Sequence, residues 1–295
     1  MIWLLLSIIS STAIMVVFKL FKKYEISTLH AIVINYYTAA LIGLLFINDI
    51  NQKTQAFDSW LPFALLLGTL FIGLFFLIGV TTQKMGINVS TIAMKLGYIL
   101  PIILAFSLYQ EHISTIKFIG IALTLFALIF SSIKINKVGQ TTQKWLFLFP
   151  IIIFVGSGIS DAIVQYAEKT YFPKGNTEFF IIILFITAGT IGFLASLIQF
   201  AKKKEWLFNK KNILGGIILG IPNYFSIYFL FKTLNAFPAK SVVVFPANNI
   251  GIVMLSTLLA IVFFKEKLSP LNIVGFILAI ISIILMYYEN IVLLF

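Results

Sequence analysis

Lys95 is the residue whose surroundings most demand a chemical account. It stands about seven residues inside an apolar run, so roughly 10 Å below the surface at the helical rise, where a charge costs about 3 kcal/mol on insertion scales. One reading makes it an anion-facing or proton-sensitive group in a central cavity; the other lets its long stem carry the ammonium back toward the surface. Asp161 follows the small-residue stretch Gly156-Ser157-Gly158-Ile159-Ser160 and is the carboxylate set well inside such a run. Its alternatives are a proton acceptor and a structural partner of Lys95. Asn248 and Asn249, between Pro246 and Gly251, add two amides and a helix irregularity at a similar depth, with interhelical hydrogen bonding as the other explanation. Tyr98 beside Gly97 and Pro101, Asn223 and Tyr224 after Pro222, and Asn35 before Tyr36-Tyr37 complete the polar set. Together these are candidate binding groups for a small molecule, with Asp161 the candidate proton-coupling group.

The elements that must carry them follow from composition. The 295 residues are 60% hydrophobic, 16% aromatic and only 11% charged, more apolar than a water-facing surface accepts. The solvent for most of the chain is therefore lipid, and every backbone polar group within it must be satisfied by helices. Apolar runs long enough for spanning helices cover about 2–18, 28–48, 60–80, 89–108, 116–133, 145–165, 179–200, 213–231, 240–263 and 270–288. The expected fold class is all-α integral membrane with ten transmembrane helices.

An internal repeat organises them. A shift of 155 residues superposes Glu111 on Glu266, Ser114 on Ser269, Gly120 on Gly275 and Ala105 on Ala260, with nine of 44 positions identical between 89–132 and 244–287. Two five-helix halves, 1–138 and 139–295, are the economical description. Because five is odd, the second half enters from the opposite side, so the repeats are inverted. Inverted halves around a midplane site are a recurring carrier architecture.

All 21 basic residues are Lys, and they collect in the connections. The odd-numbered links hold 14 of them, against six in the even-numbered links, which places the odd links in the cytoplasm and both termini outside. With no basic tract before Ile2 and no small-residue site before Lys19, cleavage of the first run as a signal peptide is not expected. The net charge of +11 is thus topological; no basic stretch interleaved with stacking aromatics points to nucleic acid. Zero Cys removes disulfides and thiolate chemistry.

The stretch from Lys95 through Pro101, Glu111 and Gly120, and its partner from Phe245-Pro246-Ala247-Asn248-Asn249 to Glu266 and Ser269, resemble the EamA-type repeat of the drug/metabolite transporter superfamily. The resemblance covers both halves. It implies a ten-helix carrier of small metabolites in the bacterial inner membrane, proton-coupled, exchanging or facilitative, without ATPase or covalent chemistry. The Trp common near the end of the family's first helix is missing, and Ser10-Ser11-Thr12-Ala13 stands about where it is expected. Family members tend to keep both termini in the cytoplasm, whereas the lysines here point the other way.

The expected activity is transport by alternating access, with a monomer as the functional unit and a small-molecule substrate, the lipid bilayer and a coupling proton as partners. The cationic Lys95 favours compounds bearing a carboxylate or phosphate, such as amino acids or organic acids. The alternatives are an exporter of cationic compounds, an intramembrane lipid-modifying enzyme and a channel. No Walker loop, H-E-x-x-H or placed Ser/His/Asp set argues for an enzyme, and no cofactor or metal is expected. Glu111 and Glu266 read as structural groups at hairpins, and His30 and His112 lie near the surfaces without forming a metal pair. Gly120 and Gly275 read as close helix packing.

Overall fold

A computed structural model of the chain describes residues 2–46, 57–100, 114–132, 144–171, 178–203, 209–236 and 241–292. Among them lie ten α-helices: α1 Ile2–Tyr24, α2 Thr28–Phe46, α3 Phe57–Lys84, α4 Ile87–Leu96, α5 Thr115–Ser132, α6 Leu148–Tyr171, α7 Glu178–Lys203, α8 Lys210–Ala236, α9 Ser241–Val262 and α10 Pro270–Val292. No strand occurs among the described residues. Six of the helices, α1, α2, α3, α6, α7 and α8, are long and apolar enough to cross a membrane. Large apolar side chains face outward, with Leu45 83% exposed, while Ser7, Thr12, Asn35 and Ser256 are buried. That inside-out distribution suits a lipid solvent, and the protein is a multi-pass membrane protein.

The fourth run departs from a single uninterrupted helix. α4 stops at Leu96, and Gly97-Tyr98 form a turn before the chain becomes helical again at Ile99. Pro101, Glu111 and His112 lie outside the described residues.

Contacts fix how the helices run. Along α2 and α8 the pairings advance together, from Asn212 with Ser27, through Gly216 with Ala31 and Gly220 with Asn35, to Tyr224 with Phe46, so these two helices are parallel. On α1 the order against α8 is reversed: Trp3 stacks on Phe229, Ser7 donates to the Ser226 carbonyl and Phe21 meets Gly215. α3 and α7 are parallel, with Trp60 on Phe180, Gly68 on Leu184 and Ile72 on Gly192. α3 and α6 are antiparallel, with Phe63 on Tyr166 and Leu74 on Gly156. α10 docks along α5, where Gly275 lets the Ala127 and Ser131 backbones approach.

As a result the odd-numbered links share one face. Gln83 at the end of α3 donates to Thr28 Oγ1 at the start of α2 (2.8 Å), and Lys211 at the start of α8 pairs with Glu25 (3.4 Å). The Lys84 ammonium lies over the Trp145 ring just before α6. Glu266, between α9 and α10, reaches Lys19 near the end of α1.

Candidate functional site

α4 and α6 cross at two glycines. A Cβ on Gly97 would come within 2.8 Å of the Phe154 carbonyl, and one on Gly158 within 2.7 Å of Leu100. Ser157 Oγ donates to the Ile153 carbonyl (2.6 Å) and also lies 3.1 Å from the carbonyl of Met94, which ties the two backbones together. This close approach sets Lys95 and Asp161 opposite each other. Each feels the other's charge, although neither makes a direct ion pair or hydrogen bond among the described residues. Both side chains are partly covered rather than sealed. Tyr98, in the turn that ends α4, packs against the apolar core.

A second polar group lies on other helices. Asn35 of α2 is fully buried, and neither its Nδ2 nor its Oδ1 has a partner among the described residues. Asn223 of α8 sits one turn beyond Gly220, the residue that lets α8 approach the Asn35 carbonyl; it is buried, with Nδ2 unpartnered. Asn248 of α9 is buried with Oδ1 unpartnered, and Asn249 is buried beside it. Thr12 Oγ1 of α1 and Ser160 Oγ of α6 share that condition. These five groups, and Thr91 Oγ1 of α4 with them, fall within about one turn of the middle of their helices, at 1.5 Å rise per residue. A polar group buried without a partner costs roughly 1–3 kcal/mol, so these three amides and their neighbouring hydroxyls form a mid-helix layer of groups left for a polar molecule or water to satisfy.

Tyr224 differs from its neighbour Asn223. It stacks with Tyr228 and packs on Phe46 and Phe225, nearer the even-link end of the bundle. No hydrogen bond or ion pair among the described residues joins Lys95 and Asp161 to Asn35, Asn223, Asn248 or Asn249.

Three placements escape sequence reasoning. Lys19, counted there only as a link charge, lies 2.5 Å from Glu266 and 3.4 Å from the Thr82 carbonyl. Glu266, read as a hairpin residue, also accepts the Ile87 amide through both carboxylate oxygens (3.3 and 3.2 Å) and so caps α4. His30, though at the start of α2, is fully buried against Asn212. Among the described residues no group of three or more His, Asp or Glu stands close enough to hold a metal ion.

A protein of Haemophilus influenzae, described as uncharacterized, is 30% identical over 298 residues, covering 97% of this chain and 97% of its own length. The chain belongs to that protein's family. No family model matches it. A crystallised protein superposes with a TM-score of 0.59 at 12% identity, covering 97% of this chain and 98% of its own. At that identity the likeness shows a shared fold over the full length.

Proposed function

We propose that this chain is a secondary carrier that moves a small metabolite, of the carboxylate-bearing kind such as an amino acid or organic acid, across the cytoplasmic membrane by alternating access. In this reading all ten helices span the bilayer as two inverted five-helix halves, 1–138 and 139–295, of the EamA type. The observation that carries it is the symmetry of the helix pairing. Exchanging α1–α5 for α6–α10 maps the α1–α8 contact onto α6–α3, α2–α8 onto α7–α3, and α1–α9 onto α6–α4; the α2–α7, α4–α9 and α5–α10 contacts map onto themselves. Such a pattern is expected of halves related by an axis in the membrane plane, where carriers hold their substrate site.

The unpartnered mid-helix groups Asn35, Asn223 and Asn248 then face the substrate, with Lys95 receiving a carboxylate or phosphate and Asp161 taking the coupling proton. The lysine-rich odd links face the cytoplasm. The covered but unsealed state of Lys95 and Asp161 also favours a second reading, an exporter of cationic compounds in which Asp161 is the receiving group.

A thermal-shift screen of the purified protein against amino acids, organic acids, nucleosides and cationic drugs, in parallel with Lys95→Met, separates the two. A bound ligand at 100 times its Kd stabilises the folded state by about 2.7 kcal/mol. The expected result is a carboxylate-bearing hit that the variant loses. A cationic hit indifferent to the variant makes Lys95 structural and moves the site to Asp161. Ohmic current in place of saturable exchange from reconstituted vesicles makes the protein a channel and ends the carrier reading.

A further inference from the structure

Glu266 does three things at one point. Its carboxylate meets the Lys19 ammonium at 2.5 Å, accepts the first backbone amide of α4 at Ile87, and lies against Gly86. Gly86 has φ +113° and no side-chain cap to offer, and a Cβ there would stand 2.6 Å from Oε2. Helices ordinarily take their N-terminal cap from the preceding Ser, Thr, Asp or Asn. α4 takes its cap from a residue 179 positions later, on the α9–α10 link. Lys19 also points at the Thr82 carbonyl near the end of α3, so α1, α3, α4 and the α9–α10 link converge on one ion pair at the odd-link face.

We propose that Glu266 is a releasable latch that closes the odd-link face, and that freeing Lys19 and the α4 amino terminus opens that face to the mid-helix layer. The inference rests on the carrier reading above. The pair suits release because both partners keep some contact with solvent, at 22% and 14% side-chain exposure, so water can replace each when they part. Release is also connected to the site. Ile87 and Lys95 belong to the same ten-residue helix, about 12 Å apart along its axis, so a tilt of α4 moves both. Asn88, next to the latch, accepts a hydrogen bond from Thr257 of α9, so α9 is drawn into the same movement.

The chain contains no Cys, so one introduced thiol reports without background. The reporter is Thr12→Cys, at a buried mid-helix position of α1. The full chain is reconstituted in sealed vesicles and labelled with a membrane-impermeant maleimide from each face in turn. Glu266→Gln keeps an oxygen for the Ile87 amide but loses the charge, Lys19→Met loses the charge and keeps the cap, and Glu266→Ala loses both.

All three variants are expected to speed labelling from the odd-link face, up to roughly fivefold for loss of the partly exposed pair alone and more for Glu266→Ala, while slowing it from the even-link face. The exchanged pair Lys19→Glu with Glu266→Lys restores the ion pair but not the cap, because a lysine cannot accept the α4 amide, and is expected to recover only part of the way from Glu266→Ala. Labelling unchanged in every variant overturns the latch. A parallel rise from both faces also overturns it, since that reports a loosened fold, and so does full recovery in the exchanged pair, since that leaves α4 out of the device. Reciprocal labelling in the reporter chain, without flux of any solute by the chain that keeps Thr12, retains the latch and removes the carrier reading.

Discussion

Thr257 of α9 donates its hydroxyl to Asn88 Oδ1 of α4 across 2.7 Å, and both side chains are buried although 169 residues separate them. The bond joins the two helices that carry Asn248 and Lys95. A double-mutant cycle with Thr257→Val and Asn88→Ala is expected to give a coupling of about 0.6 kcal/mol, and no more than about 1.7, in line with interhelical bonds in membrane proteins. Equilibrium unfolding in mixed micelles measures it; additive single effects would show that the bond carries no energy.

The α4–α6 crossing depends on the missing side chains of Gly97 and Gly158. Gly158→Leu is expected to cost about 1–3 kcal/mol, the usual penalty of overpacking, because the opposing atoms include the α4 backbone. Gly73 in α3 is the control, since a Cβ there meets nothing within 4 Å. Gly73→Ala should stabilise by roughly 0.5–1 kcal/mol through helix propensity. Thermal unfolding of the two variants compares them directly, and equal losses would contradict the packing assigned to the crossing.

Lys95 and Asp161 act on each other's charge, so removing one should hurt more than removing both. Breaking a fully buried pair costs roughly 3–5 kcal/mol; for these partly covered groups about 1–3 kcal/mol is expected from Lys95→Met or Asp161→Asn alone. The double variant should lie nearer wild type than the worse single one. Unfolding midpoints for the four proteins decide the matter, with a double variant as unstable as the sum of the singles counting against the coupling.

Asn272 ties α10 to α5. Ser269 Oγ accepts the Asn272 amide and Asn272 Oδ1 accepts the Ser269 amide (3.1 Å each), while Asn272 Nδ2 donates to the Phe130 and Ser131 carbonyls at 3.1 and 3.0 Å. Ser269→Ala, which removes the N-cap, should cost about 1 kcal/mol. Asn272→Ala should cost more, about 1–3 kcal/mol, because it also leaves carbonyls at the end of α5 without their donor. A loss no greater than that of Ser269→Ala in the same thermal assay would reduce Asn272 to a local cap.

The apolar runs were legible residue by residue. Helices among the described residues overlap all ten runs, six of them long and apolar enough to cross a membrane, because a long apolar segment in lipid must satisfy its own backbone as a helix wherever it packs. Lys95 and Asp161 were equally visible, since a charge within such a run is conspicuous against its neighbours. The break at Gly97-Tyr98 was marked in advance only by the glycine and Pro101.

Other features depend on which faces meet, and helices apolar on all sides do not announce an inward face. α2 is such a helix: burial falls on Asn35 and Tyr36 while Leu41 and Leu45 face outward, yet Ile, Leu, Ala and Tyr surround it on every side. Nothing near Gly86 told that α4 would be capped from position 266, because capping patterns are read from adjacent residues and this acceptor comes from the far end of the chain. Lys19 looked like any other link lysine until folding brought Glu266 beside it. Local composition thus carried the helices and their charged intruders, whereas packing between distant segments chose the partners, since in lipid small residues and shape, rather than an apolar stripe, select which helices touch.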